Sequence, residues 1–432
     1  MARQRTDLET IFRNIEQAGS IPAYIDAQLR DRGFLVERKA TDDMSQRELS
    51  QYKKQLKEEA AERRKLKAVA WKAYKTKNIV FLGEGVFWND GLDYDKWDLE
   101  DAESRASENE LPTLDTPLQL AEALSLSVGE LRRLAYHREA ATSVNYRRFT
   151  LPKRDGRSRE IWAPLPRLKE TQRWILHHIV ERLFVHGAAH GFLPGRSILT
   201  NAEVHCDSRV LLKMDVKDFF PTITFPRVKG VFRKAGYREQ PATLLALLCT
   251  ESPREIVRDN GRDMYVALGP RCLPQGAPTS PALTNAICLR LDRRLTGLAH
   301  SLGWRYTRYA DDMTFSLPSK QKGKPNLGQL IGLCKRVVSD EGFAVHPEKT
   351  RVSRRGGRQT VTGLVVNGEG VPRVPRKIRR QIRAAIHNIG QGKPLRDDET
   401  RSTIEGYLAY ISMCDRPLAD KMLADLNASS GG

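Results

Sequence analysis

The chain has 432 residues, a formal net charge of +19 and 40% hydrophobic residues, which is typical of a globular protein of two or three domains with a polyanionic partner such as nucleic acid. No apolar run is long enough to cross a bilayer and the charged start is unlike a signal peptide, so a cytoplasmic protein without a membrane partner is expected. Six scattered cysteines without a CxxC pair argue against a zinc site and predict reduced thiols.

Residues 1–88 predict a charged, helical N-terminal extension. Its longest helix, over residues 47–77, mixes Lys, Arg, Glu and Ala with few helix breakers. Two interpretations are open for this helix: a solvated face held by ion pairs between residues four apart, or a basic arm that binds RNA. Residues 89–117 follow as an acidic segment poor in aliphatic residues, which predicts a linker or a poorly ordered stretch.

Residues 118–210 predict two short helices, a β-hairpin and an amphipathic helix, in that order. The hairpin, over residues 146–161, turns near Asp155-Gly156, a pair typical of tight hairpins. Its basic residues, which include Arg154 and Arg159, are placed to contact a triphosphate or a template.

Three acidic residues carry the predicted chemistry. Asp215 ends a short apolar run that indicates a strand, and Asp311 and Asp312 lie between two β-type segments as a tight hairpin. Adjacent carboxylates repel one another, and a bound divalent cation removes that repulsion and favours phosphoryl transfer. A solvated turn is the alternative for an Asp-Asp pair on its own, but the upstream acid and the Gly/Pro-rich loop at 273–281 favour a catalytic site.

Strands and helices alternate as far as residue 370, with a helix predicted over 327–340 and strands near 344–345 and 360–366. Beyond this point the pattern becomes helical, because Ile378, Ile382 and Ile386 recur every four residues. Residues 427–432 are expected to form a frayed tail.

Five motifs resemble a known family of polymerases. Three of them, a strand-end Asp, a Gln-Gly-Ala-Pro loop and a Tyr-Ala-Asp-Asp hairpin, resemble the palm of reverse transcriptases in type and order. An NAxxH motif ahead of them and a VTG triplet beyond them are similar to those of bacterial retron reverse transcriptases. In chain order the motifs are Asn201-Ala202-Glu203-Val204-His205, Asp215, Gln275-Gly276-Ala277-Pro278, Tyr309-Ala310-Asp311-Asp312 and Val361-Thr362-Gly363.

The resemblance implies an α+β, right-hand polymerase fold that follows the N-terminal extension. Fingers are expected over residues 118–210, and a palm over 211–370 with a fingers insertion at about 227–272. A small helical thumb is expected over 371–426. The palm of this family is an antiparallel sheet with helices on one face.

The same resemblance implies an RNA-directed DNA polymerase that copies part of its cognate structured noncoding RNA into multicopy single-stranded DNA from dNTPs. Retron enzymes typically start from an internal guanosine 2′-OH, which gives a 2′,5′-branched RNA–DNA hybrid. The family also implies a role in anti-phage defence with a separate effector protein. Two Mg²⁺ ions are the expected cofactors, with Mn²⁺ as a substitute. The residues give no prediction of the oligomeric state.

Family roles are carried over to the matching residues. Asp215, Asp311 and Asp312 are expected to be catalytic and to bind the metal ions, together with the backbone carbonyl of Val216. Phe220 is expected to exclude a ribose 2′-OH, with an ordinary core Phe as the alternative. The other expected nucleotide contacts are Arg154, Arg159, Gln275, Gly276 and Lys349, the last as an aid to pyrophosphate departure.

In this family, recognition of the cognate RNA is associated with the VTG region and the thumb. His205 has two interpretations, as part of an RNA or primer site or as a histidine satisfied inside the structure. Two other functions compete, a group II intron-like reverse transcriptase and a non-catalytic RNA-binding protein on a polymerase fold. The expected RNA contacts are Asn201, His205, Val361, Thr362, Gly363, Arg376 and Arg380.

Overall fold

The computed structural model describes residues 2–42, 44–86, 101–152, 156, 158–368, 370–393 and 399–428. No helix within these ranges is both long and apolar enough to cross a membrane. The helices are α1 (Ala2–Ala18), α2 (Ile21–Asp31), α3 (Gln46–Tyr74), α4 (Ala102–Glu108), α5 (Pro117–Ala123), α6 (Val128–Ala135), α7 (Pro166–His178), α8 (Ile198–Glu203), α9 (Phe225–Lys234), α10 (Glu239–Cys249), α11 (Ser280–Ile287), α12 (Leu289–Ser301), α13 (Leu327–Asp340), α14 (Arg376–Gly390), α15 (Arg401–Ser412) and α16 (Arg416–Ala428). The strands are β1 (Ala140–Ala141), β2 (Tyr146–Pro152), β3 (Ser158–Pro164), β4 (Ser208–Asp215), β5 (Arg254–Asp259), β6 (Arg262–Ala267), β7 (Arg305–Tyr309), β8 (Asp312–Pro318), β9 (Arg351–Arg354), β10 (Thr360–Val361) and β11 (Leu364–Val365).

Helices α1, α2 and α3 form a bundle with its own apolar core. Phe12, Ile25, Leu29, Leu66 and Ala70 are all buried in it. Helix α3 continues for 29 residues because it contains neither Gly nor Pro and is rich in strong helix formers. The structure therefore contains the predicted helical extension.

The acidic segment is packed where the structure describes it, at residues 101–117. Leu111 and Leu114 are buried in the main core, and α4 lies against Gly236. A Cβ atom at Gly236 would lie 2.4 Å from the carbonyl oxygen of Ala102, so a glycine is needed for this contact. This part of the segment packs on the rest of the protein because its apolar residues reach the core. Residues 89–100 lie outside the described residues.

A four-stranded antiparallel sheet, in the order β7-β8-β4-β9, forms the palm. Strand β4 lies between two partners and is largely buried. Leu212 and Met214 belong to the main core, which also contains residues of α12 and α13, whereas Leu211 belongs to a second core. This mixture of an antiparallel sheet and packed helices is the predicted α+β architecture.

The second core joins the C-terminal helices to the hairpin β10–β11 and to α8. Val361 and Leu364 are buried there beside Ile382 and Ile386, while Ile378 packs half-buried against them. The four-residue spacing of these isoleucines therefore predicted the inner face of α14 correctly. Helices α14, α15 and α16 form the helical thumb.

The fingers contain the hairpin β2–β3 and a small sheet in the order β1-β6-β5. The two short helices predicted within residues 118–137 are α5 and α6. The hairpin β5–β6 lies in the expected insertion at 227–272, where the sequence pattern predicts no strand.

Candidate active site

Strand β4 and the hairpin β7–β8 bring the three predicted aspartates to one corner of the palm sheet. Asp215 is the last residue of β4 and lies directly opposite Asp312, the first residue of β8. Ala310 and Asp311 form the two-residue turn between β7 and β8. The amide of Val216 donates a 3.0 Å hydrogen bond to the carbonyl oxygen of Asp311, which ties the end of β4 to the turn. The predicted hairpin is confirmed, with Asp311 on its turn and Asp312 in its second strand.

Burial and the repulsion between neighbouring carboxylates make the charged forms of Asp311 and Asp312 less stable. Burial, and then the charges of Asp215 and Asp312, raise the pKa of Asp311 to about 6. Burial also raises the pKa of Asp312, against the opposing charge of Lys213. Carboxylates in such surroundings gain strongly from a nearby cation.

Lys349 supplies one such cation from the short 3₁₀ turn Pro347–Lys349. Its Nζ donates a 2.8 Å hydrogen bond to Oδ1 of Asp215, and its side chain is 46% exposed. The amide of His346 donates to the carbonyl oxygen of Asp215 at 2.7 Å, which fixes this turn against the end of β4. The structure thus brings Lys349 to the aspartate corner, while its part in pyrophosphate departure stays a prediction.

The donor chemistry of this corner suits a hard divalent cation, because carboxylate and backbone carbonyl oxygens are its preferred ligands. Lys349 holds one oxygen of Asp215 in the structure. No group of three or more His, Cys, Asp or Glu side chains within the described ranges is arranged to hold a metal ion. Metal binding by Asp215, Val216, Asp311 and Asp312 therefore stays a prediction, with Lys349 as the competitor for Asp215.

A buried arginine supports the Asp-Asp turn from behind. Arg308 is 0% exposed, and its guanidinium donates to the two carboxylate oxygens of Asp292 at 2.8 and 2.7 Å. It also donates at 3.1 Å to the carbonyl oxygen of Ala310 and at 3.1 Å to Oδ1 of Asn285. Ala310 has a φ of 55°, a left-handed conformation that is strained for a residue other than Gly. Arg308 thus holds the strained residue that precedes Asp311.

The partners of Arg308 are fixed in turn. The hydroxyl of Tyr306 donates to Asp292 at 2.8 Å, and the amide of Asn285 donates to the carbonyl oxygen of Gly191 at 2.8 Å. A Cβ atom at Gly191 would lie 2.8 Å from the amide nitrogen of Ala310, so the backbone there packs directly behind the turn. Sequence reasoning missed this network. Its two signals were Arg308, which directly precedes the Tyr-Ala-Asp-Asp motif, and Asp292, which lies among the apolar positions of α12.

The Gln-Gly loop packs on the fingers hairpin. The carbonyl oxygen of Gln275 accepts a 2.7 Å hydrogen bond from the amide of Trp162 in β3. Gly276 has a φ of +118°, and a Cβ atom there would lie 2.8 Å from Cγ2 of Ile161. The close approach that Gly276 permits within the protein is to β3, and because Gly276 is itself exposed, its contact with a nucleotide stays a prediction. Gln275 is half-buried, and its contact with a nucleotide stays a prediction.

The other expected nucleotide contacts differ in exposure. Phe220 is half-buried, and its ring centroid lies 5.8 Å from that of Phe219 in an edge-to-face arrangement. Both of its interpretations, a barrier to a 2′-OH and a core residue, agree with this position. Arg159 is exposed on β3, and Arg154 lies outside the described residues.

The two retron signatures meet in one buried chain of hydrogen bonds. His205 accepts from the Ser316 hydroxyl at Nδ1 (2.7 Å) and donates from Nε2 to the Thr307 hydroxyl (2.7 Å), a tautomer assigned from the bonds of its partners. Thr307 donates to Oδ1 of Asn201 (2.6 Å), whose amide approaches the Thr362 hydroxyl (3.5 Å). This series of hydrogen bonds therefore links strands β8 and β7 through α8 to the VTG turn.

This arrangement corrects the expectation that Asn201, His205 and Val361 contact RNA. They are 1%, 0% and 0% exposed, so they present no surface to a ligand, and His205 follows its second interpretation. Burial, and then the charge of Arg305, lower the pKa of His205 to about 3, which keeps its ring neutral.

The VTG turn presents a different surface. Thr362 and Gly363 form the two-residue turn between β10 and β11, and both have left-handed φ angles of 45° and 89°. Such a turn is typical of tight hairpins, although a β-branched residue is strained in it. Gly363 is exposed, as are Arg376 and Arg380 on the first turns of α14. Their contacts with RNA stay predictions.

Comparison with known proteins decides the family. Residues 151–379 match the family model described as "Reverse transcriptase (RNA-dependent DNA polymerase)". The chain is 49% identical over 422 residues to the retron Mx162 reverse transcriptase of Myxococcus xanthus, an alignment that covers 95% of this chain and 87% of that protein. The chain belongs to the retron reverse transcriptases. It is also 44% identical over 325 residues to the retron Mx65 reverse transcriptase of the same organism (75% and 74% covered) and 34% identical over 307 residues to the retron Ec86 reverse transcriptase of Escherichia coli (71% and 86% covered).

As a retron reverse transcriptase, the chain is an RNA-directed DNA polymerase with a right-hand fold. Its family acts on an RNA template and depends on divalent metal ions. The aspartate corner holds carboxylates of the kind that two-metal phosphoryl transfer uses.

Proposed function

We propose that Asp215, Asp311 and Asp312 catalyse the addition of dNTPs to a growing DNA end. The observation that carries the proposal is the placement of Asp215 opposite Asp312, with Asp311 on the adjoining turn. Mg²⁺ is the proposed cofactor, held by these carboxylates and by the carbonyl of Val216, with Mn²⁺ as a substitute. When bound, two such ions activate the attacking hydroxyl and neutralise the departing pyrophosphate.

The remaining residues of the site bind and orient the nucleotide. The exposed part of Phe220 packs against the sugar and leaves no room for a 2′-OH. Gln275 and Arg159 contact the nucleotide from the loop and from the fingers hairpin, which the Trp162 hydrogen bond joins together. Lys349 releases Asp215 and meets the pyrophosphate, a role supported by the exposure of its ammonium group.

The proposed template is the cognate structured noncoding RNA, with an internal guanosine 2′-OH as primer and multicopy single-stranded DNA as product. Thr362 and Gly363 of the VTG turn, together with Arg376 and Arg380, contact this RNA, and Asn201 and His205 support the turn from below. The backbone at Gly363 can approach the shallow minor groove of duplex RNA closely, and Arg376 and Arg380 can contact its phosphates.

We place the protein in the cytoplasm, a proposal supported by six unpaired cysteines, five of them buried. A role in anti-phage defence with a separate effector protein rests on the family resemblance alone.

Analysis of the bound nucleic acid tests this function. The protein is purified from cells that carry its flanking locus, and the nucleic acid is treated with an enzyme that cleaves 2′,5′ linkages. We expect a short DNA that is released from RNA by this treatment. Linear RNA alone, without primer extension in Mg²⁺, would favour a non-catalytic RNA-binding protein. DNA joined to RNA only through 3′,5′ linkages would favour an enzyme that primes like a group II intron reverse transcriptase.

A further inference from the structure

The outer face of α3 is strongly basic. Positions that recur every three or four residues lie on one side of a helix, and here they carry exposed lysines and an arginine opposite the buried face. The exposed bases on this α3 basic face are Lys53, Lys54, Lys57, Arg64, Lys72 and Lys75.

The acids of the same helix are directed elsewhere. Glu59 is 2% exposed and accepts hydrogen bonds from Arg38 (2.8 and 3.0 Å) and Arg63 (2.9 Å). Glu62 pairs with Arg32 at 3.0 Å and with Lys65 at 3.3 Å. The Glu and Lys residues that alternate in the sequence are thus sorted by the fold. Glu59 and Glu62 pair within the bundle, Glu48 caps the start of α3, and Glu58 remains as an exposed acid at the edge of the α3 basic face.

The length of the α3 basic face and the small residues on it suit a rod-shaped polyanion. Lys53 and Lys75 are about 33 Å apart along the helix axis at about 1.5 Å per residue, which is about one turn of a nucleic-acid duplex. Small residues, Ala60 and Ala68, lie exposed between the bases and leave room for a duplex. Trp71 lies on the same side, half-buried, with its ring centroid 6.0 Å from Nζ of Lys75, and this one ring does not make a row of exposed rings on which a single strand would stack.

We propose that the α3 basic face binds the phosphate backbone of an RNA duplex, at a site separate from the aspartate corner. Helix α3 continues for 29 residues and can lie along a duplex, and its lysines can contact successive phosphates without reading bases. RNA is the partner, because the family acts on an RNA template and a structured template offers duplex segments beyond the copied strand. This site goes beyond the proposed polymerisation, and its binding can be measured without any DNA synthesis.

The test compares two full-length variants that each lose four positive charges. The first carries Lys53→Gln, Lys57→Gln, Arg64→Gln and Lys72→Gln, and glutamine preserves helix propensity at these exposed positions. The matched control carries Lys322→Gln, Lys324→Gln, Lys335→Gln and Arg336→Gln, at exposed positions of the palm. The probe is a 20-base-pair RNA duplex of arbitrary sequence, titrated at several salt concentrations.

For the α3 variant we expect the Kd for the RNA duplex to rise about tenfold or more, and the slope of log K against log salt to fall by about 3 to 4. The control variant should stay within about twofold of the unmodified protein. Equal losses in both variants, or no loss in the α3 variant, would overturn the proposal. Weaker binding of RNA than of a DNA duplex of the same sequence would overturn the choice of RNA.

Two further measurements keep the result interpretable. Replacement of the three lysines by arginine, with Arg64 unchanged, keeps the charge and should preserve the Kd, and a loss in this variant would contradict a phosphate-binding face. Extension of oligo(dT) on poly(rA) at saturating template should stay within about twofold in the glutamine variant, because the aspartate corner is untouched. Failure of the unmodified protein to extend this primer would contradict the proposed function and leave the duplex measurement unaffected.

Discussion

At the scale of single residues, Arg308 and Asp292 form a buried ion pair in the palm. Both side chains are 0% exposed, and each neutralises the charge of the other. Asp292→Asn keeps the shape of the side chain but leaves a buried guanidinium without its counter-charge. We expect it to lower the free energy of unfolding by about 3–5 kcal/mol, measured by urea denaturation. Asp340→Asn, which removes an exposed partner of Arg294, should cost less than about 1 kcal/mol. Similar losses in the two variants would contradict a structural role for the buried pair.

His205 makes the stability of the protein depend on pH. Its pKa of about 3 in the folded state lies below the ordinary value of about 6.5, so the unfolded chain binds a proton that the folded chain does not. The contribution of His205 is complete above pH 6.5 and decreases as the pH falls towards 3. Between pH 7 and pH 5 we expect a loss of about 2 kcal/mol from this residue.

His205→Gln checks this assignment, because glutamine has hydrogen-bonding groups but no titration in this range. Urea denaturation at pH 7 and pH 5 should show a smaller difference between the two pH values in the variant, by about 2 kcal/mol. The same difference in the variant and in the unmodified protein would show that His205 is not the residue responsible.

The role of Phe220 determines how well the enzyme discriminates between deoxyribonucleotides and ribonucleotides, if the proposed contact with the sugar is correct. If its exposed part contacts the sugar, Phe220→Ala opens space for a 2′-OH, and the preference for dATP over ATP in primer extension should fall by about tenfold or more. Phe219→Ala provides a comparison, since Phe219 is a buried neighbour at 4% exposure. Unchanged discrimination in Phe220→Ala would assign this residue to the core.

That the three aspartates meet at one corner of the sheet could be predicted from sequence, because their motifs have a fixed order and because adjacent carboxylates have few structural uses. The roles of Asn201 and His205 could not, since the same residues suit an RNA site and a buried hydrogen-bond chain. Their burial depends on α8 packing against β7 and β8, which are about a hundred residues further along the chain. Arg308 was missed for a related reason, because the sequence does not show which helix supplies its acid.

At the scale of elements, the junction between the palm loop and the fingers hairpin depends on Gly276. In Gly276→Ala the Cβ atom would meet the side chain of Ile161 at 2.8 Å and the carbonyl oxygen of Trp162 at 2.9 Å, at a φ that disfavours alanine. We expect the free energy of unfolding to fall by about 1–3 kcal/mol. Gly297→Ala in α12, where nothing lies within 4 Å, should instead raise it by up to about 1 kcal/mol. An unchanged free energy of unfolding for Gly276→Ala in urea denaturation would show that the palm loop and β3 do not pack in this way.

Long, regular elements were predicted well, and short strands were not. Helix α13 begins and ends at the predicted residues, because its apolar positions follow the helical period without interruption. The hairpin β5–β6 was missed although Asn260-Gly261 forms its turn, a pair that is itself a strong hairpin signal. Strand β9 is basic and exposed, so pairing with β4 rather than its own composition makes it a strand.

At the scale of the whole molecule, the net charge can be counted from the sequence, but its distribution over the surface cannot be read from it. The net charge of +19 indicated a nucleic-acid partner, while the mixture of acids and bases in α3 left that helix undecided. The fold turns Glu59 into the bundle and leaves the lysines outside, which supports the proposal of a phosphate-binding face. Among the residues that the structure describes, apolar side chains form three cores, in the extension, in the fingers with one face of the palm, and in the thumb, and no local sequence pattern predicts this division.

Primer extension by Asp311→Asn tests the central claim most directly, because this substitution removes one charge from the aspartate corner and leaves the Arg308 network in place. Extension of oligo(dT) on poly(rA) in Mg²⁺ should fall by at least about a thousandfold, while binding of the same template-primer stays within about tenfold of the unmodified protein. Asp420→Asn, an exposed aspartate on α16, should behave like the unmodified protein in both assays. Undiminished extension by Asp311→Asn would show that polymerisation takes place at another site.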